Sequence, residues 1–297
     1  MHEENTLGKK RRTILKAGAA VAAAALLPMK ALARNPRRDG LSLDLPTHML
    51  HESMIDFFEG KGFTLVDHQP LVTGNEGFNG GLRYDDTETE TLRGQMAVQP
   101  CARIEDIENK DDRAVLPLFH IFYVRSSEGM TPADSLSMLL EYLVNDAGLA
   151  RGRFAFVTTR EFEGLLPVLE KHGFDPENQV HYRDTDEALA AGDGSGYFRY
   201  PGNPDATPFP TVGLYYKTRI DAAAPDTYPL PPGWTEIGEA SIDDSVSLGF
   251  GLGTERVGYA QSGEIPGWRE RLFLLYEQVD RHSPDNPPSG RELFSKG

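Results

Sequence analysis

Gly249-Phe250-Gly251-Leu252-Gly253-Thr254-Glu255-Arg256 decides the reading of this chain. Glycines at every second position leave one face of a strand bare, so a flat ligand can lie against the backbone. Thr254-Glu255-Arg256 opens a helix behind that strand, and Arg256 sits where a phosphate would lie. The combination predicts a nucleotide held on an antiparallel sheet.

A second strand pair lies far upstream. Gln95 to Ile104 and Val115 to Val124 read as a hairpin whose acidic tip runs from Glu105 to Asp112, long enough to reach over a ligand. Arg103 and Glu105 are two positions apart, so on a continuous strand they share a face. Phe119 lies on the return strand. A cation, a carboxylate and an aromatic ring facing one cleft suit an α-phosphate, an amine and a purine respectively.

Around these segments the pattern alternates helices with strands. Thr47 to Gly60 carries a stripe of Leu50, Met54, Phe57 and Phe58, and Phe63 to Val66 follows as a strand. Pro70-Leu71-Val72 continues extended, and residues 73–90 read as a loop. Thr131 before Pro132 is an N-cap signal for a helix with buried Leu136, Leu139, Leu140 and Leu143 that ends at Gly148. Phe154 to Val157 is a strand, and Arg160 to His172 a helix with Pro167 as a kink. Residues 183–211 read as loop, Val212 to Tyr216 as a strand, and Pro225 to Pro232 as a connector. The glycine strand begins at Val246, its helix covers Gly253 to Tyr259, and Trp268 to Val279 is a last helix. The expected fold is α+β, an antiparallel sheet flanked by helices.

The motifs resemble those of class II aminoacyl-tRNA synthetases. Gly249-x-Gly251-x-Gly253-x-Glu255-Arg256 is similar to their third signature motif, Arg103-Ile104-Glu105 to the Arg-x-Glu of the second, and Phe119 to its later phenylalanine. Pro70 falls where the first motif has its dimer-interface proline, which implies a homodimer. The alanyl type of archaeal-like form is nearest, on the run Gln99-Pro100-Cys101-Ala102-Arg103-Ile104-Glu105-Asp106-Ile107-Glu108-Asn109. The resemblance covers roughly Thr47 to Gly263 and implies a class II synthetase-like core, with a catalytic domain over residues 47–281 and a tail over 282–297.

That resemblance implies ATP and Mg2+ as cofactors and an amino acid or similar carboxylate as substrate, joined as an acyl-adenylate. Arg103 would hold the α-phosphate and Arg256 the γ-phosphate. Phe119 and the bare face of Gly251 and Gly253 would sandwich adenine, and Glu105 would complete the ATP site. Glu255 is the motif carboxylate, to be read either as a metal ligand or as a group fixing the helix start. Two positions depart from the alanyl pattern. Gly249 stands where an aspartate holds the substrate α-amino group, and His120 where a glutamate follows the phenylalanine. Both are candidate substrate-binding positions, but the resemblance does not carry alanine specificity to them.

Charge and termini set the partners. The 297-residue chain has a formal charge of −15, a single cysteine and scattered histidines, which disfavours a disulfide framework or a cysteine-rich zinc site. Lys9-Lys10-Arg11-Arg12, an alanine-rich run from Ala17 to Leu27 and Ala31-Leu32-Ala33 have the order of an export signal over residues 1–33, followed by a linker over 34–46. Arg11-Arg12-Thr13-Ile14-Leu15-Lys16 resembles the twin-arginine signature, which predicts a periplasmic or extracellular location, with a cytoplasmic one as the alternative. The apolar run is too short for a stable membrane span. Removing residues 1–33, with six Lys/Arg and two Asp/Glu, leaves 24 basic against 43 acidic side chains and a charge of −19. Such a charge disfavours tRNA, so the acceptor is expected to be a small amine or a carrier protein. A second reading keeps the fold without the chemistry: an exported, non-catalytic ligand-binding or regulatory protein.

Overall fold

The computed structural model describes residues 45–69, 71–73, 77–78, 93–103, 115–200, 206–265, 269–270 and 272–273. The expected export signal over 1–33, the expected linker over 34–46 except residues 45–46, Pro70, Glu105 with the expected hairpin tip, most of the helix expected over Trp268 to Val279 and the expected tail over 282–297 lie outside the described residues.

The protein is α+β, with a mixed, mostly antiparallel sheet flanked by helices. Helix α1 (Leu45–Gly60) leads into β1 (Thr64–Leu65). A small separate ladder pairs β2 (Val72–Thr73) with β3 (Gly77–Phe78); Val72 was expected to be extended, but from Thr73 onward loop was expected. The hairpin strands are β4 (Gln95–Ala102) and β5 (Leu118–Arg125). Helix α2 (Pro132–Glu141) follows, then β6 (Phe154–Thr158), α3 (Leu166–Lys171), α4 (Pro176–Gln179), β7 (Val180–Tyr182), α5 (Thr185–Ala191) and β8 (Tyr197–Phe198). The chain closes with β9 (Phe209–Lys217), β10 (Trp234–Ser241), β11 (Leu248–Gly253) and α6 (Thr254–Ser262). The strand order is β1-β4-β5-β11-β10-β9-β6-β7, with β8 added against β9. Among the described residues only the outer pairs, β1 with β4 and β6 with β7, are parallel.

Local chemistry accounts for α2. The Thr131 hydroxyl accepts from the Asp134 amide at 3.2 Å, and the Asp134 carboxylate accepts from the Thr131 amide at 3.0 Å. This reciprocal box satisfies two amide donors that a helix start leaves open. The helix continues through one widened turn, Tyr142–Asp146, before Gly148 turns the chain at φ +70°. Three expectations are corrected. Arg160 to His172 is a tight turn, Arg160–Leu165, followed by α3, so Pro167 sits in the first turn of a new helix rather than kinking a long one. Residues 183–211 hold α5 and β8, where loop was expected. Trp234 to Ser241 is a full interior strand that the pattern reading passed over.

One face of the sheet packs against α1, α2 and α6. Met54, Ile55 and Phe58 of α1, Leu136, Leu139 and Leu140 of α2, and Val257 of α6 are wholly buried there with Val98, Phe122, Phe250 and Leu252 from the strands. Phe58 is the hub, with ring centroids at 5.4 Å from Phe122, 5.2 Å from Phe250, 5.7 Å from Tyr142 and 6.1 Å from Phe63. It joins α1 to both strand pairs that carry the candidate motifs. Among the described residues no helix is long and apolar enough to cross a membrane. Phe58→Ala is expected to destabilise the fold by about 3–5 kcal/mol, as for other buried Phe truncations. Urea unfolding followed by circular dichroism would read it, and a loss under 1 kcal/mol would show that the hub is not needed.

Candidate functional site

The other face of the sheet carries a cleft. It is lined by Arg103, Phe119 and Ile121 from the first hairpin, Glu236 and Glu239 from β10, Gly251 and Gly253 from β11, Glu255 and Arg256 from α6, and Asp193 and Phe198 from the β8 region. Its open space is about 810 Å³, which includes the mouth to solvent. Two β-bulges decide which residues reach it. On β11 the pairing with β5 runs Leu248 to Arg125 and then Phe250 to Val124, which leaves Gly249 as an extra residue. On β10 the pairing with β9 runs Glu236 to Tyr215 and then Gly238 to Leu214, which leaves Ile237 extra. An extra residue reverses the alternation of faces beyond it.

The β11 bulge corrects the picture of three glycines on one bare face. A side chain at Gly249 would meet the hydroxyls of Ser135 on α2 and Ser126 at 3.1 and 3.2 Å, so this position faces the helix layer and lines no part of the cleft. Gly251 and Gly253 do face the cleft, but neither lies bare. A Cβ on Gly251 would stand 3.2 Å from the Glu239 carboxylate, and one on Gly253 would stand 3.4 Å from the Arg256 stem. The two glycines make room for the protein's own charged side chains.

The β10 bulge has the complementary effect. Acids three apart on a regular strand would point to opposite faces. Ile237 packs its side chain into the core and Gly238 pairs with the core residues Leu214 and Leu252, so these two contribute only to the cleft floor while Glu236 and Glu239 both face the cleft. Glu239 sits between Gly213 on β9 and Gly251 on β11. Burial pushes the Glu239 carboxyl up to about 8, and the neighbouring Glu236 charge adds to it while Arg103 and Arg256 oppose it. Burial also raises Glu236, against the pull of Arg256, whose Nη1 lies 3.3 Å from the Glu236 carboxylate. The cleft still opens onto the pair, since the Glu236 side chain is 24 % exposed.

At the opposite wall the Arg103 guanidinium lies 4.9 Å from the centre of the Phe119 ring. Arg103 stands just past β4, its amide donating to the Pro117 carbonyl at 2.9 Å. A short loop closes a further side. Asp193 is held by Arg183 at 2.8 and 3.1 Å, Arg183 also donates to the Ser195 carbonyl, and the Ser195 hydroxyl meets Tyr215 Oη at 2.7 Å.

Six of the expected residues therefore line one cleft: Arg103, Phe119, Gly251, Gly253, Glu255 and Arg256. Glu105 lies outside the described residues. Glu255 reaches the cleft edge, but both its oxygens are engaged by His120, from the amide at 2.8 Å and from Nδ1 at 2.6 Å. His120 itself alternates with Phe119 and Ile121, so its ring points into the helix layer, 5.0 Å from the ring of His51. Neither Gly249 nor His120 lines the cleft, where both were candidates for touching substrate. The pattern reading missed Glu236, Glu239 and Asp193. The signal for the first two was Gly238 between acids in a short β-rich segment, since a glycine inside a strand often marks a bulge.

Because the folded Glu239 carboxyl lies above its usual range, folding favours its protonated form. The resulting penalty is absent below about pH 4, where the carboxyl is protonated folded or unfolded, and grows as pH rises towards about 8. Glu239→Gln cannot ionise and is expected to gain stability over the wild type across that window. Urea midpoints at pH 4, 6 and 8 would show it, and a constant difference at all three would refute it.

No protein-family model matches the chain, and no curated protein is similar to it in sequence at a significant level.

Proposed function

We propose that the cleft binds ATP with magnesium and activates a carboxylate, giving an acyl-adenylate and pyrophosphate. The observation that carries this reading is the meeting of Arg103 against Phe119 with Gly251, Gly253 and Arg256 in one cleft. These are residues from two distant stretches of chain, and they are the ones a class II synthetase-like core would use. In the reaction a carboxylate oxygen bonds to the α-phosphorus, and the bond from that phosphorus to the β-phosphate oxygen breaks. No base is required, because an amino-acid carboxylate is already ionised at neutral pH. The protein's task is to align the attack and neutralise charge on the phosphates.

Arg103 would contact the α-phosphate from the Phe119 side, and the purine would stack on Phe119. Arg256 would contact the γ-phosphate from across the cleft. Its tie to Glu236 at 3.3 Å is long enough to be exchanged for a phosphate oxygen. Magnesium, which supplies charge neutralisation on the phosphates, fits Glu236 and Glu239 better than Glu255. The first two are cleft carboxylates whose mutual repulsion a divalent ion relieves, whereas Glu255 is committed to His120. In this reading the ion would be held largely by phosphate oxygens, as magnesium at nucleotide sites usually is.

The substrate is an amino acid or similar carboxylate. The −19 charge after removal of residues 1–33 favours a small amine or carrier protein over tRNA as acceptor. Homodimer formation and export through the N-terminal signal belong to the same reading. The signal also supports a second one, an exported binding protein without catalysis, because ATP is scarce outside the cytoplasm. Pyrophosphate exchange separates the two. With ATP, magnesium and a panel of carboxylates, the wild type is expected to exchange label with at least one of them. Arg103→Ala and Arg256→Ala are each expected to lower the rate by about 100-fold or more, the scale of removing a transition-state donor. Nucleotide protection in a thermal shift without any exchange would favour the binding protein.

A further inference from the structure

The ATP-site reading gives no role to one fully buried polar side chain of the helix layer. His51 on α1 is fully buried, and neither of its ring nitrogens has a hydrogen-bond partner. Its ring meets that of His120 edge-on, with centroids 5.0 Å apart and planes 70° apart, and His120 Nε2 is also buried without a partner. The remaining polar atoms of His120 are all directed at the start of α6. Its amide and Nδ1 donate to Glu255, and its carbonyl accepts from the Thr254 hydroxyl at 2.9 Å. Gly253 supplies no side-chain cap to this helix, so these three bonds set the geometry of its first turn. Arg256 is the next residue in that turn, and its stem passes over Gly253 into the cleft.

We propose that His51, His120 and Glu255 form a positioning relay that aims Arg256 into the cleft, and that the relay holds only while His51 is uncharged. His51 fixes the ring of His120 by contact, His120 fixes Glu255 by two hydrogen bonds, and Glu255 fixes the turn that carries Arg256. The consequence for phosphate binding rests on the ATP reading, but the relay itself does not.

The surroundings of His51 give the pH dependence its sign. His48 and Glu52 flank it on α1, His120 faces it from β5, and Glu255 of α6 engages His120 rather than His51. From the widened turn after α2, Tyr142 donates to Ser53 at 3.4 Å. The strands β1 and β4 contribute apolar Leu65, Met96 and Val98 to the core against α1. No acceptor contacts the His51 ring among the described residues. Burial above all, then the nearby His120 and His48, hold its imidazole well below the ordinary histidine range. Below about pH 6.5 the unfolded chain takes up a proton that the folded His51 resists, so stability falls towards acid, while within the folded state the relay stays intact until well below that pH.

The test reads Arg256 directly. In 15N-labelled full chain, the Arg256 Nε–H resonance is identified by its loss in Arg256→Lys and followed from pH 8 to pH 4, with ATP binding measured in parallel. In the wild type the resonance is expected to hold its place through about pH 6.5 and to shift only well below it, where the folded His51 takes up its proton. In His51→Phe, or in His51→Gln if the first variant folds poorly, it is expected to stay put. In Glu255→Ala it is expected to be displaced already at pH 8. A resonance that is the same in all variants at every pH overturns the relay. Expected shifts with no ATP binding at any pH would leave the relay standing and remove the ATP reading. Equal ATP affinity in wild type and Glu255→Ala, with an unmoved resonance, would do the reverse.

Discussion

One extra residue in each of two neighbouring strands governs this structure. Side chains on a strand alternate faces, so a single inserted residue decides the facing of everything beyond it. Gly249 on β11 and Ile237 on β10 are those residues. Each bulge places two consecutive residues towards the helices, Gly249 with Phe250 and Ile237 with Gly238. The apolar requirement of the helix layer is thereby met by Phe250, Leu252, Ile237 and Ala240, all fully buried. The cleft face is left to Glu236, Glu239, Gly251 and Gly253. A sheet without these irregularities would put one of the two acids into the core.

The resulting cleft is a place of opposed charges at close quarters. Arg103 and Arg256 face Glu236 and Glu239, and the glycines on either side of Glu239 allow a carboxylate to lie flat against the sheet. Burial and repulsion raise both glutamates, and the arginines moderate the rise. A site of this kind suits a ligand that carries anionic phosphates together with a cation. Under the proposed reading, the same electrostatics that make the pair costly in isolation would make it receptive to such a ligand.

Much of the frame was legible from local pattern. The Thr131-Pro132 signal, the leucine stripe of α2 and the aromatic stripe of α1 each rest on contacts within a few residues, and each appears where expected. The meeting of Arg103 and Phe119 was legible too, because a hairpin brings its two strands together by construction. What escaped was non-local. Trp234 to Ser241 carries glutamates and a glycine in a strand with neighbours on both sides, so its composition does not resemble a buried strand until the bulge is known. His120 is polar and adjacent to a cleft residue, which made it a candidate for the cleft, yet alternation turns it to the opposite face.

By itself the sequence determined the α+β class, the helix caps, the apolar stripes, the strong negative charge and the pairing of an arginine with an aromatic ring on one hairpin. These follow from local propensity, composition and short-range spacing. Only the tertiary structure decided that Gly249 faces a helix, that Gly251 shelters Glu239, and that Glu255 is bound to His120. The reason is that a bulge is set by how two strands pair with their neighbours: a glycine such as Gly238 can signal one, but it does not tell which position will be the extra one.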